Sequence, residues 1–260
     1  MKKRLVAALL AATLMPQPAN AALIALYQFD DATNLGLDTS GAGNHAANTG
    51  VFGVAAGYQG GAGLFAGQSW LTAPVNVNIA VRPSLTWGAW AKTTANSAGN
   101  RTVLSSDDGG YDRQISLDAR GGWSAFTGNS ILGSGVQASS TDWTFLAAVY
   151  DDAAHRMTFY VDGQAVSTST SFGASRISFA IGRNPTFTEF FQGEIDNVFV
   201  YDEALSADRI AQIRSTGFAT VAPSAVPEPA TWAMMVLGFG VVGGALRRSK
   251  PSRRVRFNLA

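Results

Sequence analysis

The sequence predicts an all-β protein, an antiparallel sandwich carrying one short helix late in the chain. Three observations lead there. A dozen or more short runs rich in β-branched and aromatic residues lie between positions 23 and 201, with Gly, Asn and Asp between them. No βαβ rhythm interrupts them, which argues against a parallel sheet. Only residues 207–215 read as helical, with Ser206 as N-cap, Asp208 in the first turn, and Ile210 and Ile213 on one side.

Taken in order, residues 23–29 (LIALYQF) form a strand closed by Asp30 and Asp31. Residues 38–45 (DTSGAGNH) crowd carboxylate, hydroxyl, amide and glycines into one loop, as Asx turns or cation-wrapping loops do. The glycine-rich run 50–67 suggests short strands and tight bends. Residues 85–92 alternate, with Leu85, Trp87, Ala89 and Ala91 on one face and Thr86, Gly88, Trp90 and Lys92 on the other. Short strands follow at 101–105, 114–117 and 123–126. Residues 143–150 and 157–161 make a hairpin, and Asp162-Gly163 is a two-residue turn leading to 164–166. Later strands cover 177–182 and 193–201.

The two ends of the chain carry address signals. Lys2, Lys3 and Arg4 precede an apolar stretch, 5–15, and an A-x-A site at 19–21, so residues 1–21 read as a signal peptide. Near the other end, Pro227-Glu228-Pro229 fixes an extended backbone. Residues 230–246 hold no charge, and as a helix of 17 residues they would extend ~26 Å, within the spanning range. Arg247 and Arg248 open a basic tail, 247–260, which the positive-inside rule places in the cytoplasm. The expected organisation is a signal peptide (1–21), a sandwich (22–217), a linker (218–229), a transmembrane helix (230–246) and a cytoplasmic tail.

The motif, uncharged stretch and arginines, with Trp232-Ala233 after the motif, resemble the PEP-CTERM sorting tail of Gram-negative bacteria. The resemblance implies cleavage at Pro227-Glu228-Pro229 by an exosortase, an integral-membrane cysteine protease. It also implies delivery to the cell surface or extracellular matrix, often beside exopolysaccharide.

Between residues 22 and 221 ten basic side chains face seventeen acidic ones, a net charge of −7. That repels nucleic acid and anionic lipid. The chain has no Cys, so a core, a metal or both must supply the stability that disulfides give many exported domains. About 200 residues are enough for one domain.

Several segments, in their order, resemble the LamG-like domains: LYQFD (26–30), DTSGAGNH (38–45), 85–92, 143–151, YVDG (160–163), IGR (181–183), FQGEIDNV (191–198) and YDEALS (201–206). These are concanavalin A-like jelly rolls, and the likeness covers residues 23 to about 214. It implies two curved antiparallel sheets with a concave face, often used to bind glycans or proteins, and frequently a structural calcium.

The site candidates follow from residue chemistry. Glu194 and Asp196 sit at i and i+2, but the laminarinase-type third carboxylate is replaced by Val198 and Phe199, so no catalytic residue is assigned. His45 and His155 lie in turns without zinc spacing. Asp30, Asp38, Asn44 and Asp196 are the candidate calcium ligands. Pairing of the first strand with residues 193–201 would bring Asp30 and Asp196 together, where a cation would relieve their repulsion. Trp70, Trp90, Tyr111 and Trp123 are candidate sugar-stacking platforms, with Trp90 and Trp123 favoured. The expected protein is an exosortase-sorted surface or matrix protein that binds extracellular polysaccharide without catalysis. The alternatives are a glycan-cleaving enzyme of the same fold and a purely structural matrix protein.

Overall fold

The computed structural model describes residues 21–94, 101–109, 113–127, 130–171 and 177–218. The signal peptide, the sorting residues Pro227, Glu228, Pro229, Trp232, Arg247 and Arg248, the helix at 230–246 and Tyr111 lie outside the described residues. The chain divides into two compact units at Gly217, and the sandwich belongs to the first.

In chain order the strands are β1 (Leu23–Tyr27), β2 (Ala47–Thr49), β3 (Phe52–Val54), β4 (Ala62–Ala66), β5 (Trp70–Ala73), β6 (Leu85–Thr93), β7 (Arg101–Ser105) and β8 (Gln114–Leu117). There follow β9 (Gly122–Thr127), β10 (Ser130–Gln137), β11 (Thr144–Asp151), β12 (Arg156–Val161), β13 (Gln164–Ser169), β14 (Phe179–Ile181), β15 (Gln192–Tyr201) and the helix α1 (Ala207–Thr216). They build two antiparallel sheets. Sheet A runs β13-β12-β11-β6-β15-β4-β3, with β1 also paired to β15, and sheet B runs β10-β9-β8-β7-β14-β5-β2. The β1–β15 pairing, Leu26 opposite Phe199, is the closure expected from the sequence.

Local chemistry sets the connections. The β12–β13 turn uses Asp162 and Gly163 at φ 47° and 88°, both in the left-handed region that Asp and Gly tolerate best. The Asp162 carboxylate also accepts from the Phe145 N–H at 2.8 Å and so ties the turn to β11. Helix α1 starts where Ser206 Oγ accepts from the Arg209 N–H and stops at Gly217, φ 59°. Sequence pattern alone does not mark β2, β3, β5 and β10 as separate strands. Strand β10 (SILGSGVQ) is broken by glycines and its pairing with β9 shifts register, so its alternation is weak.

The main core lies between the sheets. Trp87 is fully buried there, edge-on to Tyr150 at 6.0 Å and 5.6 Å from Phe179. A second, smaller apolar layer covers the outer face of sheet A. Phe145 lies 4.7 Å from Trp90 and stacks on Phe199 at 6.1 Å, and Phe199 meets Tyr201 edge-on. Helix α1 crosses this face with Ile210 and Ile213 buried and the Arg209 guanidinium donating to the Tyr201 hydroxyl. Gly88 is required beneath it, because a Cβ there would strike the Leu146 carbonyl and the Phe199 ring. Central strands of sheet A are therefore buried on both faces.

Trp90 belongs to this second layer, so Trp90→Ala should destabilise the domain by about 3–5 kcal/mol, the range for truncating a buried aromatic. A chemical denaturation curve measures it. An unchanged midpoint would mean that Trp90 is a surface ring.

Candidate functional site

The four candidate metal ligands fall into two groups. Asp38 is buried and its carboxylate is already engaged: Oδ1 accepts from Leu26 N and Ser40 N, each at 2.9 Å, and Oδ2 from Asn44 N at 2.8 Å. Asn44 Nδ2 donates to the Ile24 carbonyl at 2.7 Å, and the Asn44 carbonyl accepts from the Tyr27 hydroxyl at 2.6 Å. Burial, with Asp38 nearby, pushes that hydroxyl above its ordinary range and keeps it a donor. His45 Nδ1 accepts from Asp38 N at 3.0 Å. Asp38 and Asn44 thus pin the 38–45 loop to β1. As cation ligands grouped with Asp30 and Asp196 they are a correction to the sequence reading, because backbone N–H donors already occupy the Asp38 carboxylate and the Asn44 amide is spent on the Ile24 carbonyl.

Asp30 and Asp196 do meet, at the glycine-rich turn 57–61. Gln59 N donates to Asp196 Oδ2 at 2.9 Å, and Gly61 N to Asp30 Oδ1 at 2.8 Å. A Cβ on Gly57 would lie 2.9 Å from Asp196 Oδ2, and one on Gly60 would strike Asp30 Oδ1, so the turn wraps the acids as bare backbone. Asp196 is fully buried, next to a bulge in β15 where Asn197 takes φ 48°. Burial, opposed by backbone hydrogen bonds and reinforced by Asp30, raises its pKa from 3.8 to about 7. Asp196 Oδ1 and Gln59 Oε1 are buried without a hydrogen-bond partner. Two acids, the orphaned Asp196 oxygen and glycines that leave no room for a Cβ against either carboxylate fit a hard cation that takes oxygen ligands. Among the described residues, no group of three or more His, Cys, Asp or Glu forms such a site by itself.

The two favoured sugar platforms are both closed. Trp90 is 1% exposed, and Tyr58 of the same turn stacks on it at 4.6 Å and 20°. Trp90 lies on the face of β6 opposite Trp87, as its alternation predicts, but the 57–61 turn covers that face. Trp123 is 0% exposed because it points into the main core opposite Leu117. Trp70 is half-buried, with the Arg183 guanidinium 4.3 Å from its ring centroid and Phe190 beside it. Glu194 pairs with Lys92 at 2.8 Å, while Asp196 is sealed beneath the 57–61 turn. The two acids therefore share no open cleft.

An open cleft lies instead on the outer face of sheet B. It encloses about 280 Å³, near the lower end of the ~300–1,000 Å³ range for small-ligand sites. Gln114 and Ser116 of β8, Phe126 of β9 and Ile131 of β10 line it from the sheet. Asp107 and Gly109 come from the end of β7, and Asn184, Phe187 and Glu189 from the β14–β15 connection. Asn184 Nδ2 donates to Asp107 Oδ2 at 2.7 Å and to Glu189 Oε2 at 3.0 Å, and its Oδ1 accepts from Thr186 N at 3.0 Å. Gln114 Nε2 donates to Thr102 Oγ1 at 2.5 Å and to Glu189 Oε2 at 3.3 Å. The Thr186 hydroxyl donates to the Asp107 carbonyl at 2.8 Å and closes the network. Phe187 and Ile131 stay 54% and 55% exposed at the rim. The site thus sets apolar surface beside fixed polar oxygens. Sequence reasoning missed these residues, which come from separate segments with no local motif. The one available signal was an exposed-type loop bearing Asn, Phe and Glu after Ile181-Gly182-Arg183.

Comparison with known proteins adds the family. Residues 65–211 match a family model described as the concanavalin A-like lectin/glucanases superfamily, and residues 225–249 match the PEP-CTERM protein-sorting motif. No curated protein matches the chain. Among solved structures, domain 4 of AbnA, a GH43 extracellular arabinanase from Geobacillus stearothermophilus in complex with arabinotriose, aligns with a TM-score of 0.59 at 22% identity. That alignment covers 75% of this chain and 98% of that one. The botulinum neurotoxin serotype D binding domain aligns with a TM-score of 0.58 at 14% identity, over 76% of this chain and 52% of that one. The binding domain of Paraclostridial Mosquitocidal Protein 1 has a TM-score of 0.58 at 14% identity, over 70% and 49%. This chain spans about half the length of each toxin domain, and at these identities the likeness is one of fold. The chain belongs to the concanavalin A-like lectin/glucanases superfamily and carries a PEP-CTERM protein-sorting motif.

Proposed function

We propose that this protein is exported, sorted by an exosortase at Pro227-Glu228-Pro229, and binds extracellular polysaccharide without cleaving it. The sorting motif implies export to the cell envelope or surface of a Gram-negative bacterium. The signal peptide at 1–21, the membrane-spanning helix at 230–246 and its basic flank at Arg247 and Arg248 serve that route in this reading.

The observation that carries the binding role is the sheet B cleft, where Phe126, Phe187 and Ile131 face Asp107, Gln114 and Glu189. Sugars lay C–H faces on such rings and give hydroxyl hydrogens to such oxygens. The arabinotriose held by the AbnA domain supports the class of ligand on the same fold. Hydrolysis is the second reading, since Asp107 and Glu189 accept from one amide nitrogen and so lie close together. A retaining pair stands ~5–5.5 Å apart with one carboxyl donating its proton to the leaving group, whereas here both carboxylates serve as acceptors for the Asn184 and Gln114 amides. Binding is the better use of this geometry.

The full-length protein in detergent should bind at least one neutral polysaccharide in affinity electrophoresis and release no reducing sugar from it. Phe187→Ala should weaken that binding about tenfold, as loss of an anchoring ring does, with an unchanged melting temperature because Phe187 is exposed. Release of reducing ends would favour the hydrolase, and binding to no glycan would favour a purely structural matrix protein.

We also propose a structural calcium held by Asp30 and Asp196, which the orphaned Asp196 oxygen supports. Asp38 and Asn44 take no part. Without calcium, the Asp196 pKa lies above its unfolded value. Its stabilising contribution is therefore complete below pH ~4 and is lost as pH rises through about 7. Melting curves in chelator should fall across that window. At neutral pH or above, calcium at ~100-fold over Kd should add ~2.7 kcal/mol, or roughly 5–11 °C, and Asp196→Asn should remove the calcium response. A calcium shift that survives Asp196→Asn would place the ion elsewhere.

A further inference from the structure

We propose that the sheet B cleft selects sugar units that present hydroxyl donors and carry no negative charge, and that it rejects uronate, sulfate and phosphate groups. This rests on the glycan-binding reading above and adds the charge class of the ligand.

The argument is an account of hydrogens. An amide NH₂ has two donors, and a carboxylate has about four acceptor positions and no donor. Both Asn184 Nδ2 donors go to acids of the wall, to Asp107 at 2.7 Å and Glu189 at 3.0 Å. The amide cannot be turned around, because its oxygen accepts from Thr186 N at 3.0 Å and Phe187 N at 3.4 Å. Gln114 Nε2 is engaged by Thr102 at 2.5 Å and Glu189 at 3.3 Å. The Gly109 N–H is engaged by Asp107 Oδ1 at 2.6 Å.

The amide donors of the wall are thus committed within the protein, and the lining residues include two acids and no basic side chain among the described residues. A ligand atom entering beside Asp107 and Glu189 must bring a hydrogen with it. A sugar hydroxyl does so, whereas a ligand carboxylate would place a third negative oxygen against two. Asp107 is 7% exposed, so water screens that repulsion poorly. The net charge of −7 acts in the same direction at longer range.

The experiment uses full-length protein in detergent and three probes: linear arabinan, polygalacturonate, and polygalacturonate whose carboxyl groups have been reduced to alcohols. Titration calorimetry at ~20 mM and ~500 mM salt reads the affinities. A neutral probe should bind at least about tenfold tighter than polygalacturonate at low salt, and carboxyl reduction should restore binding. Higher salt should narrow the gap by screening. Glu189→Gln should raise the acidic-to-neutral affinity ratio about tenfold, and the salt series on the unmodified protein keeps the test valid if that variant misfolds. Tighter binding of polygalacturonate than of its reduced form would overturn the inference while leaving a glycan-binding protein. Binding of no probe would remove the glycan reading, and the inference with it.

Discussion

The hydrogen bond from the Gln59 backbone to the buried Asp196 carboxylate is the contact on which the rest of the molecule's surface depends. It is expensive, since burial opposes the charged form of Asp196, and it is sustained by bare glycine backbone folded around two acids. What it secures is the 57–61 turn, whose Tyr58 ring lies flat on Trp90. With α1 beside it, that turn closes the outer face of sheet A. Strands β6, β11 and β15 then have no wet face, and their near-continuous burial follows.

Closing one face leaves the other as the place for recognition. Sheet B keeps the ordinary division of an antiparallel sheet, with Trp123 and Ala125 inward and Phe126 outward. The β14–β15 connection settles over this face, and the Asp107–Asn184–Glu189–Gln114 network holds it there. A buried polar network of this kind rigidifies when its members are satisfied. Its cleft is therefore formed before any ligand arrives, with Phe187 carried at its mouth.

Much of the fold was legible because strand period and turn chemistry are local. The β11–β12 hairpin, the Asp162-Gly163 turn, the α1 cap and the β1–β15 closure all follow from short-range patterns or from their order. The site was less legible. The two faces of β6 were assigned correctly, but nothing within residues 85–93 says that Tyr58, far earlier in the chain, covers Trp90. Trp123 was misjudged by its polar neighbours, whereas the two-residue period puts it on the same face as Ala125 and opposite Phe126. Asp38 and Asp196 look alike as acids in a sequence. One accepts from three N–H donors spread over both oxygens and the other keeps an oxygen with no hydrogen-bond partner, a difference that only the backbone path creates.

Amide hydrogen exchange, with and without saturating neutral polysaccharide, tests the central claim that sheet A's outer face is closed and sheet B's is the ligand face. The account expects slowed exchange in peptides covering 107–109, 114–126 and 184–189, with residues 57–61 and 86–92 unchanged. Slowed exchange at 57–61 and 86–92, with the cleft peptides unaffected, would contradict it.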